Sequence, residues 1–491
     1  MKLEVKTLDI RAGKPVIILN EEQAKKESIF LGDRVRAKSD HREIRAVVDL
    51  SKDIPGDKAI FFDETKKELK VEEDDSVEIE TAMKPDSVEQ IVKKINGEKL
   101  EREDIYSIVR DTVDFKLTET ELMAYNVAIK MSDFSFEEAK HMTEAMVDTG
   151  ERINIENALD KHCIGGVPGN RTTPLIVPII AAEGHKIPKT SSRAISSPAG
   201  TADTMEVLTD VEHTAEDIKE LVEKTNGCMV WGGSLDLAPA DDEFIRARGS
   251  LDLDPLEQVL SSVLAKKKSV GAETVLIDIP MGEGAKVSHK EEAKKLSKYF
   301  KRLGRELGMN VVTIISEGSR PIGQGIGPAL EARDVLQILE SRGQKGPEDL
   351  RDKALEMANI LLDEASSGKI AEEILESGDA YTKFKEIIEA QGGGITKSEN
   401  VPLAEKSYTV EANKRGRVED ISNEAVGKIA ELAGCPKEKK SGIYLHKRMD
   451  DPVEKGQKLI TVYSENKERL EAAADAARER PVYTLKSLMS K

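Results

Sequence analysis

Cysteine is scarce: Cys163, Cys228 and Cys435 are the only three in 491 residues, and they form no CxxC pair. Neither a disulfide framework nor a thiolate zinc site is supported. None of the seven histidines makes an HxxxH or HExxH spacing, so metal-dependent hydrolysis is disfavoured. Long apolar runs are missing as well. The longest, Pro174 to Ala182, is about half a membrane span, and the opening MKLEVKTLDI lacks an apolar stretch of signal-peptide length. A soluble, cytoplasmic protein with no membrane partner is expected. Basic residues are outnumbered, 74 Lys plus Arg against 92 Asp plus Glu, for a formal net charge of −18. A field of that sign repels polyanions and argues against a nucleic-acid partner. It leaves room for a small phosphate ligand held by a local cluster of donors. Internal repeats and long low-complexity tracts are absent.

What is present suits about three to four folded domains. Hydrophobic residues make up 38% and charged residues 34% of the chain, enough for a core under a charged surface. Over residues 1–83, short β-rich runs (Leu3–Val5, Pro15–Leu19, Val35–Ala37, Ala46–Val48, Ala59–Phe62, Ser76–Thr81) alternate with charged turns, which predicts a barrel-like β module. After Lys84-Pro85-Asp86-Ser87 the hydrophobic period changes from about two to about 3.6. Thr118-x-x-Glu121 and Ser135-x-x-Glu138 read as capping boxes, and Leu122, Tyr125 and Ile129 share one helical face. From about residue 156 short apolar strands alternate with helices. Val275–Ile279 and Asn310–Ile315 read as buried strands with a helix opened by Ser288-x-x-Glu291 between them, a βαβ unit that favours a parallel sheet. Past Gly392-Gly393-Gly394 the texture becomes α+β, with a helix near 420–433. The expected division is therefore a β-rich module at 1–83, a helical lobe at 84–155 joined by 239–270, an α/β domain at 156–238 and 271–400, and an α+β lobe at 401–491.

Chemistry-bearing residues concentrate in four segments. In Asp160-Lys-His-Cys-Ile-Gly-Gly-Val-Pro-Gly-Asn170-Arg-Thr-Thr173, glycines 165, 166 and 169 permit tight turns. The loop feeds a helix whose free amides and positive dipole end suit an anion. Lys161 adds a charge and Thr173 a hydroxyl. It is not a Walker loop, because the second glycine would fall at Asn170 and the lysine at Arg171. In Lys189-Thr-Ser-Ser-Arg-Ala-Ile-Ser-Ser-Pro-Ala-Gly200-Thr-Ala-Asp203, six hydroxyl residues accompany Arg193, which can grip phosphate in bidentate fashion. A solvated serine-rich loop is the bland alternative. It is weakened by the preceding strand, since ligand crevices of α/β sheets form at strand carboxyl ends. Third, Pro239-Ala-Asp-Asp242 leads through Asp252 and Asp254 to Ser262 and Lys266, which share a helical face. Fourth, Pro280-Met-Gly-Glu-Gly-Ala-Lys286 follows a strand, so Lys286 would project from a strand-to-helix crevice.

Together, and in this order, these segments resemble the thymidine (pyrimidine-nucleoside) phosphorylase family over about residues 85–490, and within it the archaeal AMP phosphorylase branch. The additional β module, the Pro-Gly-Asn wording of the first loop and Ser191-Ser-Arg-Ala-Ile195 carry the match to that branch. The resemblance implies a multidomain α/β fold: a barrel-like β module, a helical lobe, a phosphate-binding α/β domain with a largely parallel central sheet, and a C-terminal hammerhead-like lobe. It implies a pentosyltransferase that cleaves an N-glycosidic bond reversibly with inorganic phosphate as co-substrate, without metal or cofactor. In the AMP branch the products are free base and ribose 1,5-bisphosphate, with CMP and UMP as further candidate substrates, and the enzyme is a homodimer or larger homo-oligomer. Matching positions nominate Lys161, Cys163, Thr173, Ser191 and Thr201 as the phosphate cradle. Gly166, Ser192, Arg193, Ala194, Ile195, Ser196, Ser197, Thr201, Ser262 and Lys286 are nominated to hold the nucleotide. Asp254 is the matching general acid for the departing base, with Asp252 two residues away as the other candidate.

Two departures stand out. Cys163 occupies a position where much of the family has serine, and a thiol is the weaker donor, so either the thiol or the backbone amide meets the anion. Pro198 removes one amide donor from the second loop. His162, which titrates near neutrality when unperturbed, is expected to orient its loop rather than to transfer protons. A pyrimidine-nucleoside phosphorylase and a non-catalytic nucleotide-binding assembly protein are the alternative readings.

Overall fold

The computed structural model describes residues 1–486 apart from Asp133, Ile195, Ser196, Ser197, Asp252 and Asp254, and leaves the side chains of Ser250 and Leu256 undescribed. The chain forms two compact units, Met1–Gly150 with Ala238–Ser262, and Glu151–Leu237 with Val263–Lys491.

The first unit begins as a closed barrel. Its strands are β1 (Lys2–Thr7), β2 (Val16–Asn20), β3 (Arg34–Lys38), β4 (Glu43–Ser51), β5 (Lys58–Phe61) and β6 (Ser76–Thr81), paired around the ring as β1-β5-β2-β4-β3-β6. Each coincides with one of the six β-rich runs. Inward residues such as Val5, Ile17, Val35, Ala37, Val48, Phe61, Val77 and Ile79 form the core, and their neighbours along each strand face outward, as closure of a pleated sheet requires. Two short helices, α1 (Glu21–Lys26) and α2 (Asp63–Leu69), interrupt the strands. Four longer ones follow: α3 (Ser87–Ile95), α4 (Arg102–Val113), α5 (Glu119–Met131) and α6 (Phe136–Thr149). Both expected capping boxes are formed. Thr118 and Ser135 each exchange hydrogen bonds with the glutamate three residues on. Inside the helical lobe Lys94 and Glu138 make a buried ion pair at 2.8 Å.

The second unit starts with β7 (Ala158–Cys163), α7 (Thr173–Ala182), β8 (Ile187–Ser191), α8 (Thr201–Met205), α9 (Ala215–Thr225) and β9 (Gly227–Trp231). The chain returns to the first unit as α10 (Pro239–Arg248), and α11 (Leu256–Val270) spans the boundary residues. There follow β10 (Ala272–Met281), α12 (Lys290–Glu306), β11 (Asn310–Glu317), β12 (Gly325–Ile326), α13 (Pro328–Glu340), α14 (Glu348–Glu364), α15 (Ala371–Ser377) and α16 (Asp379–Ala390). Strands β11, β10 and β7 are parallel, as are β8 and β9, and a parallel bridge from Ala158 to Lys186 sets β7 beside β8. Helices α7, α13, α14 and α16 cover one side with Leu, Ile, Val and Ala side chains. The multidomain α/β reading therefore holds.

Two local expectations need correction. Strand β11 is not buried: only Val311 is, and Ile315 is 38% exposed. It is the outer strand of its sheet, so one edge and part of a face meet solvent. Helix α12 starts at Lys290 with His289 as its cap, and Ser288 does not cap it.

The chain ends with β13 (Lys406–Glu411), β14 (Gly416–Ile421), α17 (Asn423–Ala433), β15 (Gly442–Leu445), β16 (Pro452–Val453), β17 (Lys458–Ser464), α18 (Lys467–Glu479) and β18 (Tyr483–Lys486). This part has its own apolar core, yet β15 pairs with β12, joining it to the α/β sheet region. Among the described residues no helix is long and apolar enough to cross a membrane.

Candidate active site

The carboxyl ends of β7, β8 and β10 lie together. Register pairs Cys163 with Asp278 of β10, and carrying the Ala158–Lys186 bridge forward along two parallel strands sets Cys163 level with Ser191 at the end of β8. The glycine loop leaves from here, and its glycines are required by contact as well as conformation. Gly166 has φ +95°, and a Cβ there would stand 2.6 Å from the Lys286 backbone nitrogen. At Gly169, φ +73°, a Cβ would be 2.0 Å from the Ile322 carbonyl oxygen. The loop therefore lies directly on the Ala285–Lys286 turn and on Ile322. Lys286 is brought to this crevice, half-buried, with its Cε 3.8 Å from the Cβ position of Gly165.

Lys161 is 1% exposed, and its ammonium donates to Thr172 Oγ1 at 2.8 Å. No carboxylate among the described residues lies within ion-pair distance of it. Burial pushes its pKa below the ordinary lysine value, while Cys163 and Asp278 pull the other way. Thr173, also buried, is the first residue of α7. The Cys163 sulfur receives Asn170 Nδ2 at 3.2 Å and the Gly165 amide at 3.4 Å, and burial raises its pKa. The thiol is thus protonated at neutral pH, with its sulfur acting as an acceptor inside the loop.

Three buried carboxylates organise the surrounding cations. Asp160 sits between Lys267 at 2.6 Å and Lys189 at 3.4 Å, and both ammonium groups also donate to the Thr190 carbonyl. Asp278 pairs with Lys353 at 3.1 Å and accepts from Ser316 and Asn170. Glu331 accepts from Arg171 Nε at 2.6 Å, and the same guanidinium reaches Thr201 Oγ1 at 2.9 Å and the Ala199 carbonyl at 2.7 Å. His162 is half-buried; desolvation first, then Lys189, Lys267, Lys161 and Lys286, hold its pKa well below the usual value. It is neutral at pH 7.

The hydroxyl-rich loop is shaped by Asp203, which is 2% exposed. Its Oδ2 accepts the Ala194 amide at 2.7 Å and the Gly200 amide at 2.9 Å, closing the loop at both ends. Ser191 Oγ donates to the Val230 carbonyl, and Ser192 is exposed. Arg193 stacks over Trp231 and makes a two-pronged contact with Glu206 at 2.6 and 2.7 Å, with Glu212 at 3.1 Å. Ile195, Ser196 and Ser197 lie outside the described residues.

The structure thus gathers Lys161, Cys163, Gly166, Thr173, Ser191, Ser192, Arg193, Ala194, Thr201 and Lys286 in one unit. Ser262 belongs to the other, where its hydroxyl donates to the buried Asp241 at 2.5 Å. Asp254 and Asp252 lie outside the described residues. Sequence reasoning missed the Asp160–Lys189–Lys267 group, the Arg171–Glu331–Thr201 chain and the loop-closing part of Asp203. Asp160, Arg171 and Asp203 were visible inside the two loops, but Lys353 and Glu331 come from helices with no local signal pointing back.

Three family models match in chain order: the glycosyl transferase family helical bundle domain over residues 88–150, the glycosyl transferase family α/β domain over 155–381, and the pyrimidine nucleoside phosphorylase C-terminal domain over 417–484. Curated relatives extend the likeness to nearly the whole chain. AMP phosphorylase 1 of Archaeoglobus fulgidus is 43% identical over 96% of this chain and 95% of its own. The AMP phosphorylase of Pyrococcus furiosus is 43% identical over 97% and 96%, and that of Methanocaldococcus jannaschii 43% over 97% and 96%. Among solved structures, anthranilate phosphoribosyltransferase from Thermus thermophilus aligns with a TM-score of 0.52 at 20% identity, covering 62% of this chain and 99% of that one. At that identity the likeness concerns the fold alone.

Proposed function

The chain belongs to the AMP phosphorylase family, and from that premise we propose that it cleaves the N-glycosidic bond of AMP with inorganic phosphate, giving adenine and ribose 1,5-bisphosphate. The observation that carries this reading is the buried Lys161 ammonium, which among the described residues has one neutral acceptor and no carboxylate within ion-pair distance. A buried cation left in that state favours an anion beside it.

In this reading phosphate is held by Lys161, Thr173, Ser191 and Thr201. Cys163 contributes through its backbone amide, a stronger donor than its thiol. Preorganised donors fix the nucleophile beneath C1′ and screen its repulsion from the nucleotide. Gly166 and residues Ser192 to Ser197 line the ribose and its 5′-phosphate, with Arg193 and Lys286 as countercharges and Ser262 toward the base. A phosphate oxygen bonds to C1′ as the C1′–N bond breaks. The electron pair leaves with the base, and protonated Asp254 supplies the proton, ending as carboxylate. CMP and UMP undergo the same exchange. His162, neutral within strand β7, transfers no proton in this scheme.

Phosphate is the only co-substrate in this scheme, with no resident metal or cofactor, and the enzyme works in the cytoplasm as a homodimer or larger homo-oligomer. The test is to mix the protein with phosphate and AMP, CMP, UMP or thymidine in turn and follow base release. Release from the nucleotides, resistant to chelator and lost in Asp254→Asn, is expected. Release from thymidine alone, or AMP binding without turnover, overturns the proposal.

A further inference from the structure

One basic residue reaches the substrate loop from the C-terminal part of the chain. Lys439 is 236 positions from Asp203, yet its ammonium lies 2.7 Å from Asp203 Oδ1 and 2.7 Å from Glu206 Oε2. Its main chain is fixed in place: the Lys439 carbonyl accepts the Ala329 amide at the start of α13, and the neighbouring Lys440 carbonyl accepts the Ala404 amide. The two carboxylates it touches are those that organise the loop. Asp203 holds Ala194 and Gly200, and Glu206 holds the Arg193 guanidinium. Arg193 therefore faces three acids, Glu206, Glu212 and Asp203, the last at 3.9 Å, and Lys439 neutralises two of them.

We propose that Lys439 is a specificity-determining positioning residue: by sharing Asp203 and Glu206 it keeps Arg193 exchangeable, so that the guanidinium can turn from protein carboxylates to the 5′-phosphate of the substrate. The inference rests on the functional reading above, in which Arg193 meets that phosphate. Without Lys439, Arg193 would be the one described cation left for three carboxylates, and a guanidinium held by two-pronged contacts to several acids is a poor donor to a ligand. With it, the local charge is closer to balanced and exchange is easier.

The test compares Lys439→Met and Lys439→Arg with the unaltered protein in steady-state kinetics and in calorimetric AMP binding. Lys439→Met is expected to raise KM and Kd for AMP about tenfold, with kcat and the KM for phosphate within about twofold. Lys439→Arg recovers most of the loss. In an Arg193→Ala background the Lys439→Met change adds nothing further. A general structural role would instead raise both KM values, lower kcat and persist in the Arg193→Ala background; that pattern, or unchanged AMP binding in Lys439→Met, overturns the inference. Calorimetry needs no turnover, so a parent protein that binds AMP without releasing base contradicts the functional reading alone.

Discussion

Replacing Lys161 by methionine separates what the site costs the fold from what it does. The ammonium is 1% exposed, with Thr172 Oγ1 as its hydrogen-bond acceptor. Taking such a group out of water costs several kcal/mol even after relaxation, and one hydrogen bond to a charged group returns about 1.5–3 kcal/mol. Asp278 helps at longer range, although it is already engaged by Lys353. Methionine matches the stem and carries no charge, so the variant sheds the desolvation cost and loses one hydrogen bond. Without phosphate it should be as stable as the parent or up to about 2 kcal/mol more stable. That corresponds to an upward shift of roughly 3 °C at most in a unit of this size. Phosphate at about 100 times its Kd should add about 2.7 kcal/mol to the parent and nothing to the variant. The pH dependence has a fixed sign. The folded pKa of Lys161 is lowered from 10.5 by burial, so the unfolded chain binds more protons between the two values and stability rises with pH across that window. A bound phosphate favours the ammonium, so phosphate affinity falls as pH rises through the same window. Scanning calorimetry of the full chain with and without phosphate reads all of this. A variant that melts well below the parent yet is still stabilised by phosphate would refute the reasoning.

Three further outcomes are expected. Lys94→Met strands the buried Glu138 carboxylate and should cost about 3–5 kcal/mol by denaturant titration; a loss below about 1 kcal/mol contradicts the pairing. His162→Gln should leave both limbs of the pH–rate profile in place, because the imidazole is neutral near pH 7. It should also remove a loss of stability that begins as pH falls through about 6.5, since the lowered folded pKa makes the unfolded chain the better proton acceptor there. Gly169→Ala forces a Cβ to 2.0 Å from the Ile322 carbonyl at a positive φ; it should cost several kcal/mol and lower phosphate affinity, measured by the same calorimetry.

The legible parts of the fold were those governed by local rules. Six β-rich runs between charged turns became six barrel strands because inward residues alternate with outward ones. The capping boxes at Thr118 and Ser135 formed because each needs partners only three residues apart. Ser288 failed the same rule because the helix starts past it. Strand β11 misled because an apolar run does not say whether a strand is central or at an edge. At the site, the glycine loop and the hydroxyl loop were readable as segments, and their approach to one crevice follows from parallel register. The buried charge network was not readable. Lys267, Lys353, Glu331 and Lys439 reach Asp160, Asp278, Arg171 and Asp203 across at least 75 residues, and nothing in a lysine's immediate neighbours names a partner that far away.

The most direct test of the proposed chemistry follows phosphorus itself. With 18O-labelled phosphate and AMP, 31P NMR should show a new sugar phosphate resonance that grows in step with adenine release. Its label should remain on the oxygen bonded to C1, because a phosphate oxygen forms that bond. Adenine released at the same rate without phosphate, or a C1 oxygen drawn from water, would contradict the account.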